Sequence, residues 1–206
     1  MWYRVFKYVL IGPLLRLISR PVVTGLHHIP ATGPVIIAAN HLAMVDSFLL
    51  CLVIDRPLTF IAKNEYFTRP GVLGRWQHWF FSATGQVPVD RGGGDAATAA
   101  LIAATAILDA GEIWAIHPEG TRSPDGHLHR GRTGVARVAL ATGAPVIPIG
   151  LSHTAHLRPH RRVRIMVGPL LDLHGHDDIR MATDELMAAI RDLTGQSYVD
   201  EYARRS

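Results

Sequence analysis

An α/β fold with a mostly parallel central sheet flanked by helices, preceded by an amphipathic N-terminal helix, is what this sequence predicts. Three observations carry that expectation. Short β-rich runs alternate with segments of helical periodicity along the 206 residues, the pattern of a layered α/β fold. Most of the strand-like runs are unbroken apolar stretches, "PVIIAA", "LTFIA" and "PVIPIG" among them, as required when helices cover both faces of a sheet. Ionisable residues gather directly after these runs, where open α/β sheets carry their chemistry. The length fits one domain, and 48 % hydrophobic against 18 % charged residues leaves enough apolar material for a core. The division expected is an interfacial helix at residues 1–20 and a single α/β domain at 21–206.

The first element is a helix over residues 2–19, in "MWYRVFKYVLIGPLLRLISR". Trp2, Tyr3, Phe6, Tyr8 and the leucines and isoleucines supply an apolar side. Arg4, Lys7, Arg16 and Arg20 interrupt it, and Pro13 is expected to kink or break it. The chain has no run of 18 uncharged apolar residues, so no ordinary spanning helix is indicated. The composition suits a helix lying in a lipid interface with its cations toward headgroups; a terminal helix packed on the protein's own core is the competing reading. No secretory signal with a small-residue cleavage site is visible, and the one cysteine, Cys51, excludes an internal disulfide. Peripheral or monotopic attachment to the cytoplasmic face of the cell membrane is the localisation these features suggest.

Strands follow at 21–25 and 34–39, then a helix at 44–54, a strand at 58–62, a helix at 70–82 and a strand at 86–89. A "GGG" at 92–94 precedes a helix at 95–109, with Asp95 placed as its N-cap and Gly111 just past its end. A strand at 112–117, a helix at 133–142 between Thr133 and Gly143, strands at 145–150 and 162–168, and a helix at 177–193 complete the order. Within the 70–82 helix, Leu73, Trp76 and Phe80 recur at helical spacing beside Trp79 and Phe81. That reads as an amphipathic, partly lipid-facing segment or as ordinary core. His153, His156 and His160 sit among arginines with no cysteine or acidic ligand beside them. A metal is therefore not expected there; a basic rim for acidic lipid, a carrier protein or a coenzyme's phosphates, or a solvated loop, is.

Net charge is +4 with 12 histidines besides, which invites anionic partners: nucleic acid, acidic lipid or phosphorylated substrates. Only Lys7 and Lys63 among the 21 basic residues are lysines, which singles out Lys63. Four short stretches carry candidate chemistry. In "NHLAMVDSF", His41 in a loop and Asp46 in the first helical turn place a carboxylate where it can orient an imidazole and leave the other ring nitrogen as a general base. A polar turn between core elements explains the same residues less specifically. Ser47 lacks a nucleophile-elbow context, so direct deprotonation of a substrate hydroxyl is more natural than an acyl-enzyme. In "GQVPVDRGGG", Arg91 offers a planar fork for phosphate at a strand end, or pairs with Asp90. In "HPEGTRSPDG", a tight loop holds Glu119, Gly120, Thr121 and Arg122; Gly120 frees the backbone to approach a ligand, and Glu119 anchors Arg122 or contacts an acceptor. "RGRTGVA" puts two arginines and Gly134 at a helix start, where backbone amides attract anions.

These blocks, in this order, resemble the glycerolipid acyltransferase family, whose best-known members acylate lysophosphatidic acid. The family's N-H-x4-D block corresponds to Asn40, His41 and Asp46, and its G-x-[IV]-P-[IV]-x-R block to Gly85, Val87, Pro88, Val89 and Arg91. Its P-E-G-T-R-S block corresponds to residues 118–123, and a final apolar-proline block to "VIPIG" with Pro148. His117 departs from the pattern, standing where the family usually has an aromatic or aliphatic residue.

The resemblance implies an O-acyltransferase domain at 21–206. His41, oriented by Asp46, would deprotonate the hydroxyl of 1-acyl-glycerol-3-phosphate. The alkoxide would take the acyl group from a thioester of coenzyme A or acyl carrier protein, giving phosphatidic acid. It implies acceptor-phosphate contacts from Arg122, Lys63 and Arg91, with Glu119, Gly120 and Thr121 lining the substrate site. The partners implied are the lysophospholipid, the thioester, the membrane surface and acyl carrier protein as an alternative donor, with no nucleic acid. No cofactor beyond that co-substrate and no metal is called for, since the thioester is already activated. Rival readings are another acceptor (glycerol-3-phosphate, another lysophospholipid or a glycolipid), a thioester hydrolase using the same pair with water, and a lipid-binding module without turnover.

Overall fold

In the computed structural model, residues 2–89, 96–158 and 161–204 are described, apart from the side chains of Lys63, Tyr66 and Ala96. Asp90, Arg91, the glycine run 92–94, the N-cap expected at Asp95 and His160 lie outside the described residues.

The apolar runs become strands of one seven-stranded sheet: β1 (Val22–Thr24), β2 (Val35–Ala39), β3 (Leu58–Lys63), β4 (Val87–Val89), β5 (Ile113–Ile116), β7 (Val146–Ser152) and β8 (Arg164–Val167). Their order is β1-β8-β7-β2-β5-β3-β4, and only the β7–β8 pair is antiparallel. The mostly parallel sheet expected from the sequence is therefore present. β6 (Leu128–His129) pairs with β9 (Tyr198–Val199) in a separate parallel ribbon that brings the C-terminal tail against the loop after β5. Two-residue strands of this kind leave no pattern in the sequence.

Side-chain alternation along β2 explains why its run is apolar throughout. Ile36 and Ala38 join a core with α6 (Ala96–Asp109), α7 (Gly134–Thr142) and α8 (Ile179–Thr194). Val35, Ile37 and Ala39 join a second core with α3 (Val45–Val53) on the opposite face. Helix ends follow local chemistry. Gly143 and Gly195 close α7 and α8 in the left-handed conformation that glycine adopts without penalty. Asp178 caps α8 by accepting from the Arg180 amide at 2.6 Å. Thr133 occupies the N-cap position of α7 as expected, but its hydroxyl makes no cap bond.

The N-terminal helix differs from expectation in an instructive way. It runs as α1 (Trp2–Val5), a π-helical stretch Phe6–Leu10, and α2 (Ile11–Ser19), so Pro13 does not break it. Proline removes one bond to the preceding turn and its ring crowds a carbonyl there; widening that turn to π geometry accommodates both. Lys7, expected to point to headgroups, is instead buried, and its ammonium donates to the Ile54 carbonyl just past the end of α3. Burial pushes its pKa down, against the pull of Asp55. Trp2 packs edge-on against Trp79 at 5.2 Å, and Phe6 against Phe80 at 4.9 Å. These contacts join the N-terminal helix to α5 (Gly71–Ala83), which follows the short α4 (Glu65–Thr68).

The connections leaving β2 and β5 decide where a site can form. These strands are neighbours, yet β2 feeds α3 on one face whereas β5 leads to α7 on the other. Chains diverging from adjacent parallel strands leave a crevice at their carboxyl ends, the usual place for ligands in open α/β sheets.

Candidate active site

Asn40 is the first residue past β2 and ties the crevice to the sheet. Its amide accepts from the Leu151 amide at 2.7 Å and donates to the Leu151 carbonyl at 2.9 Å and to Gln196 at 2.8 Å. The end of β2 is thereby locked to the end of β7, and His41 leaves the sheet in a defined direction.

His41 Nδ1 lies 3.0 Å from Asp46 Oδ2. The same oxygen accepts the Leu42 and Ala43 amides at 2.6 and 2.8 Å, so the spacing of five residues is bridged by a tight turn into α3. Burial alone would push the Asp46 carboxyl up; the His41 ring N–H, the Ala43 amide and the nearby Thr154 hydroxyl outweigh it and hold the group below its ordinary value. Asp46 is fully buried, whereas His41 keeps 17 % of its side chain open. With Nδ1–H given to a carboxylate, Nε2 carries the free lone pair, and no described residue bonds it. The arrangement is that of an oriented general base. Oδ1 of Asp46 and the Thr154 hydroxyl are both buried without a formed hydrogen bond.

His117, the residue after β5, stacks on His41 with ring centroids 3.9 Å apart and planes within 6°. Its Nδ1–H donates to the carbonyls of Ala39 and Asn40 at 3.0 and 3.1 Å, and Nε2 accepts from the Ser47 hydroxyl at 3.1 Å. Desolvation, reinforced by His41, lowers its pKa to about 4. Ser47 is thus engaged with His117, and no described serine is paired with His41 as a nucleophile would be.

The loop Pro118–Ser123 closes around His41. Glu119 Oε1 accepts the His41 amide at 2.9 Å, and the Ser123 amide donates to the His41 carbonyl at 2.7 Å. Oε2 of Glu119 accepts the His129 amide at 3.1 Å. Both carboxylate oxygens of this buried residue are therefore spent on backbone, and burial raises its pKa against those bonds. Glu119 thus clamps the His41 backbone to the segment at His129, and no bond joins it to Arg122 among the described residues.

Gly120, at φ +75°, is where the loop turns, and a Cβ there would meet the Arg132 guanidinium Nε at 2.7 Å. Arg132 itself lies over the Tyr202 ring at 5.1 Å and its amide donates to the Pro118 carbonyl at 2.8 Å. Thr121 is half-buried, and Arg122 is exposed with no carboxylate partner among the described residues. Lys63 ends β3 on the same carboxyl edge of the sheet; its side chain, like the whole of Arg91, lies outside what is described. Arg132 and His117 were visible in the sequence only as part of a basic turn and as a departure from a motif. Their proximity to His41 and Gly120 depends on strand order, which single positions do not reveal. Among the described residues, no group of three or more histidine, cysteine or acidic side chains converges as a metal site would.

A second surface stands apart from this crevice. Leu10, Leu14, Leu17 and Ile18 of the N-terminal helix and Val72, Leu73, Trp76 and Trp79 of α5 are all exposed. No helix among the described residues is long and apolar enough to cross a membrane.

Residues 20–152 match the family model described as Acyltransferase. A chloroplastic 1-acyl-sn-glycerol-3-phosphate acyltransferase of Arabidopsis thaliana is 30 % identical over 154 residues, covering 70 % of this chain and 42 % of that protein. A 1-acyl-sn-glycerol-3-phosphate acyltransferase of Borreliella burgdorferi is 29 % identical over 159 residues, covering 74 % of this chain and 62 % of that protein. The chain thus spans less than two thirds of the length of these relatives. The crystal structure of the 1-acyl-sn-glycerophosphate acyltransferase PlsC from Thermotoga maritima superposes with a TM-score of 0.66 at 29 % identity, covering 86 % of this chain and 72 % of that one.

Proposed function

The chain belongs to the acyltransferase family, and we propose that it transfers a fatty acyl group from an acyl thioester to the free hydroxyl of 1-acyl-glycerol-3-phosphate, yielding phosphatidic acid for phospholipid synthesis. The observation that carries this reading is the His41–Asp46 pair: a base with its outer nitrogen free, held at 3.0 Å to a buried carboxylate and lacking a partnered serine. Nε2 takes the proton of the acceptor hydroxyl as its oxygen attacks the thioester carbonyl. The imidazolium formed is stabilised by Asp46, and the thiolate leaves with the proton returned from His41. Arg122, Lys63 and Arg91 bind the acceptor phosphate, with Gly120 and Thr121 lining the approach. Arg132 joins them through its position against Gly120. The relatives' names support this acceptor, and coenzyme A or acyl carrier protein serves as the donor's carrier.

The reaction takes place at a membrane surface, peripherally and on the cytoplasmic side. The exposed apolar residues of α2 and α5 form the contact, since several large apolar side chains left exposed on two helices suit a lipid interface.

Purified protein offered a panel of lysophospholipids, glycerol-3-phosphate and two labelled thioesters tests the reading. Acyl transfer fastest to 1-acyl-glycerol-3-phosphate is expected. Thioester consumption at the same rate without any acceptor would make the protein a hydrolase and overturn it.

A further inference from the structure

Position 117 is where the sequence leaves the family pattern, and the reaction above assigns it nothing. A second histidine beside a general base is ordinarily a hindrance, because two imidazolium rings in contact repel. Here the second ring is kept from charging. Its two nitrogens are committed, Nδ1 to the Ala39 and Asn40 carbonyls and Nε2 to the Ser47 hydroxyl. Phe60 of β3 lies beside it, with ring centroids 5.9 Å apart and planes tilted by 24°. Removal from water, together with the His41 ring against it, disfavours a proton on Nε2. Among the described residues, the charged and titratable groups facing the two rings are Asp46 from α3 and Glu119 from the loop after β5; β3 contributes Phe60, and the segment after β7 contributes Thr154.

The stack is near-parallel at 3.9 Å, which is van der Waals contact between two π faces. One of these rings becomes a cation when it accepts the substrate proton. A neutral π face against a cation is attractive, more so where water is excluded. The same contact limits rotation of His41 away from Asp46. We propose that His117 is a positioning residue whose neutral ring, stacked on His41, holds the base in register and stabilises the imidazolium it becomes during transfer. This rests on the assignment of His41 as the base. Family members with an aliphatic residue here lack the π face, and those with an aromatic one lack the hydrogen bonds that fix the ring.

Two substitutions separate ring from hydrogen bonds. His117→Phe keeps the ring and loses the bonds; His117→Asn keeps a donor toward the β2 carbonyls and loses the ring. His117→Gln serves as the ring-less variant if the asparagine protein does not fold. The His41 titration is read by NMR on the full chain without substrate, alongside the pH profiles of kcat and kcat/KM.

The ring-less variant is expected to lower the His41 pKa by about half a unit or more, moving the acidic limb of kcat/KM with it. It should lower kcat by roughly tenfold, with acceptor KM within about twofold. The phenylalanine variant, which keeps the π face and loses the bonds that fix it, should lose clearly less kcat than the ring-less variant and keep its acidic limb closer to that of wild type. An unchanged His41 titration in the ring-less variant, or an equal loss in His117→Phe, overturns the proposal and leaves His117 as scaffolding. Should the wild type transfer no acyl group, the function proposed above fails, while the titration still decides the fate of the stack.

Discussion

At the carboxyl ends of β2 and β5 the chain buries what normally faces water; on the outer side of α2 and α5 it exposes what is normally buried. Asp46 and Glu119 are almost completely enclosed, whereas Leu17 and Val72 are 75 % and 82 % exposed. The two regions handle the cost differently. In the crevice each buried carboxylate is compensated from within: Asp46 by two amides and an imidazole, Glu119 by two amides from segments distant in sequence. On the outer face Leu10, Leu14, Leu17, Val72 and Leu73 are left exposed among the described residues. A polar cluster whose charges are compensated from within, with Asp46 Oδ1 and the Thr154 hydroxyl left unbonded, is built to act, while an exposed apolar face is built to meet something else. The Trp2–Trp79 and Phe6–Phe80 contacts join the start of the N-terminal helix to α5, although the two are far apart in sequence.

The sharpest way to break the crevice is Asp46→Asn. The neutral amide cannot stabilise an imidazolium as the carboxylate does, and its oxygen is a weaker acceptor for the Leu42 and Ala43 amides and the His41 ring that Asp46 Oδ2 now holds. A fall in kcat of about 100- to 1,000-fold is expected with little change in KM; a loss under about tenfold would mean Asp46 does not orient the base. Glu119→Gln probes the structural half of the same cluster. Its amide turns an N–H toward one of the two backbone donors, so unfolding by denaturant should show a loss of about 1–3 kcal/mol, with activity falling as the His41 backbone loosens. Full stability would return Glu119 to the role of a substrate contact.

The outer face is tested by Leu17→Glu, which should weaken sedimentation with phospholipid vesicles about tenfold while turnover of a short-chain, water-soluble acceptor is unchanged. Equal effects on both would collapse the two regions into one. Arg122→Ala should raise the acceptor KM roughly five- to tenfold with kcat preserved; no change in KM would remove it from the phosphate site. The smallest expected effect is on acid stability. His117 binds its proton less readily folded than unfolded, so its contribution is full above about pH 6.5 and declines as pH falls toward about 4. Asp46, held below its ordinary value, adds a loss at still lower pH in the same direction. Denaturation midpoints across that range should fall, and His117→Phe should flatten the upper part of the slope.

The strand order was not legible in the sequence, though almost every strand was. Apolar runs and glycine ends are local signals, and β2, β5 and β7 and the helices α3, α6, α7 and α8 form where those signals place them. The π-helical turn before Pro13 was not legible, because the rule for proline concerns regular α-geometry and says nothing of a neighbouring turn that can widen. Lys7 illustrates a different limit: four cations in an apolar segment look alike in sequence, yet one reaches the Ile54 carbonyl. His41 and Asp46 were readable because five residues suffice to close their contact. Glu119 was readable as important but not as a backbone clamp, since its partners His41 and His129 are brought to it by the loops of the fold.

The central claim is that the free nitrogen of His41 deprotonates the acceptor hydroxyl during acyl transfer. Single-turnover transfer from a labelled acyl thioester to 1-acyl-glycerol-3-phosphate, comparing wild type with His41→Ala confirmed as folded, tests it most directly. A loss of about 1,000-fold or more in the chemical step, with both substrates still bound, is the expected result. Transfer within about tenfold of wild type in the variant would contradict it.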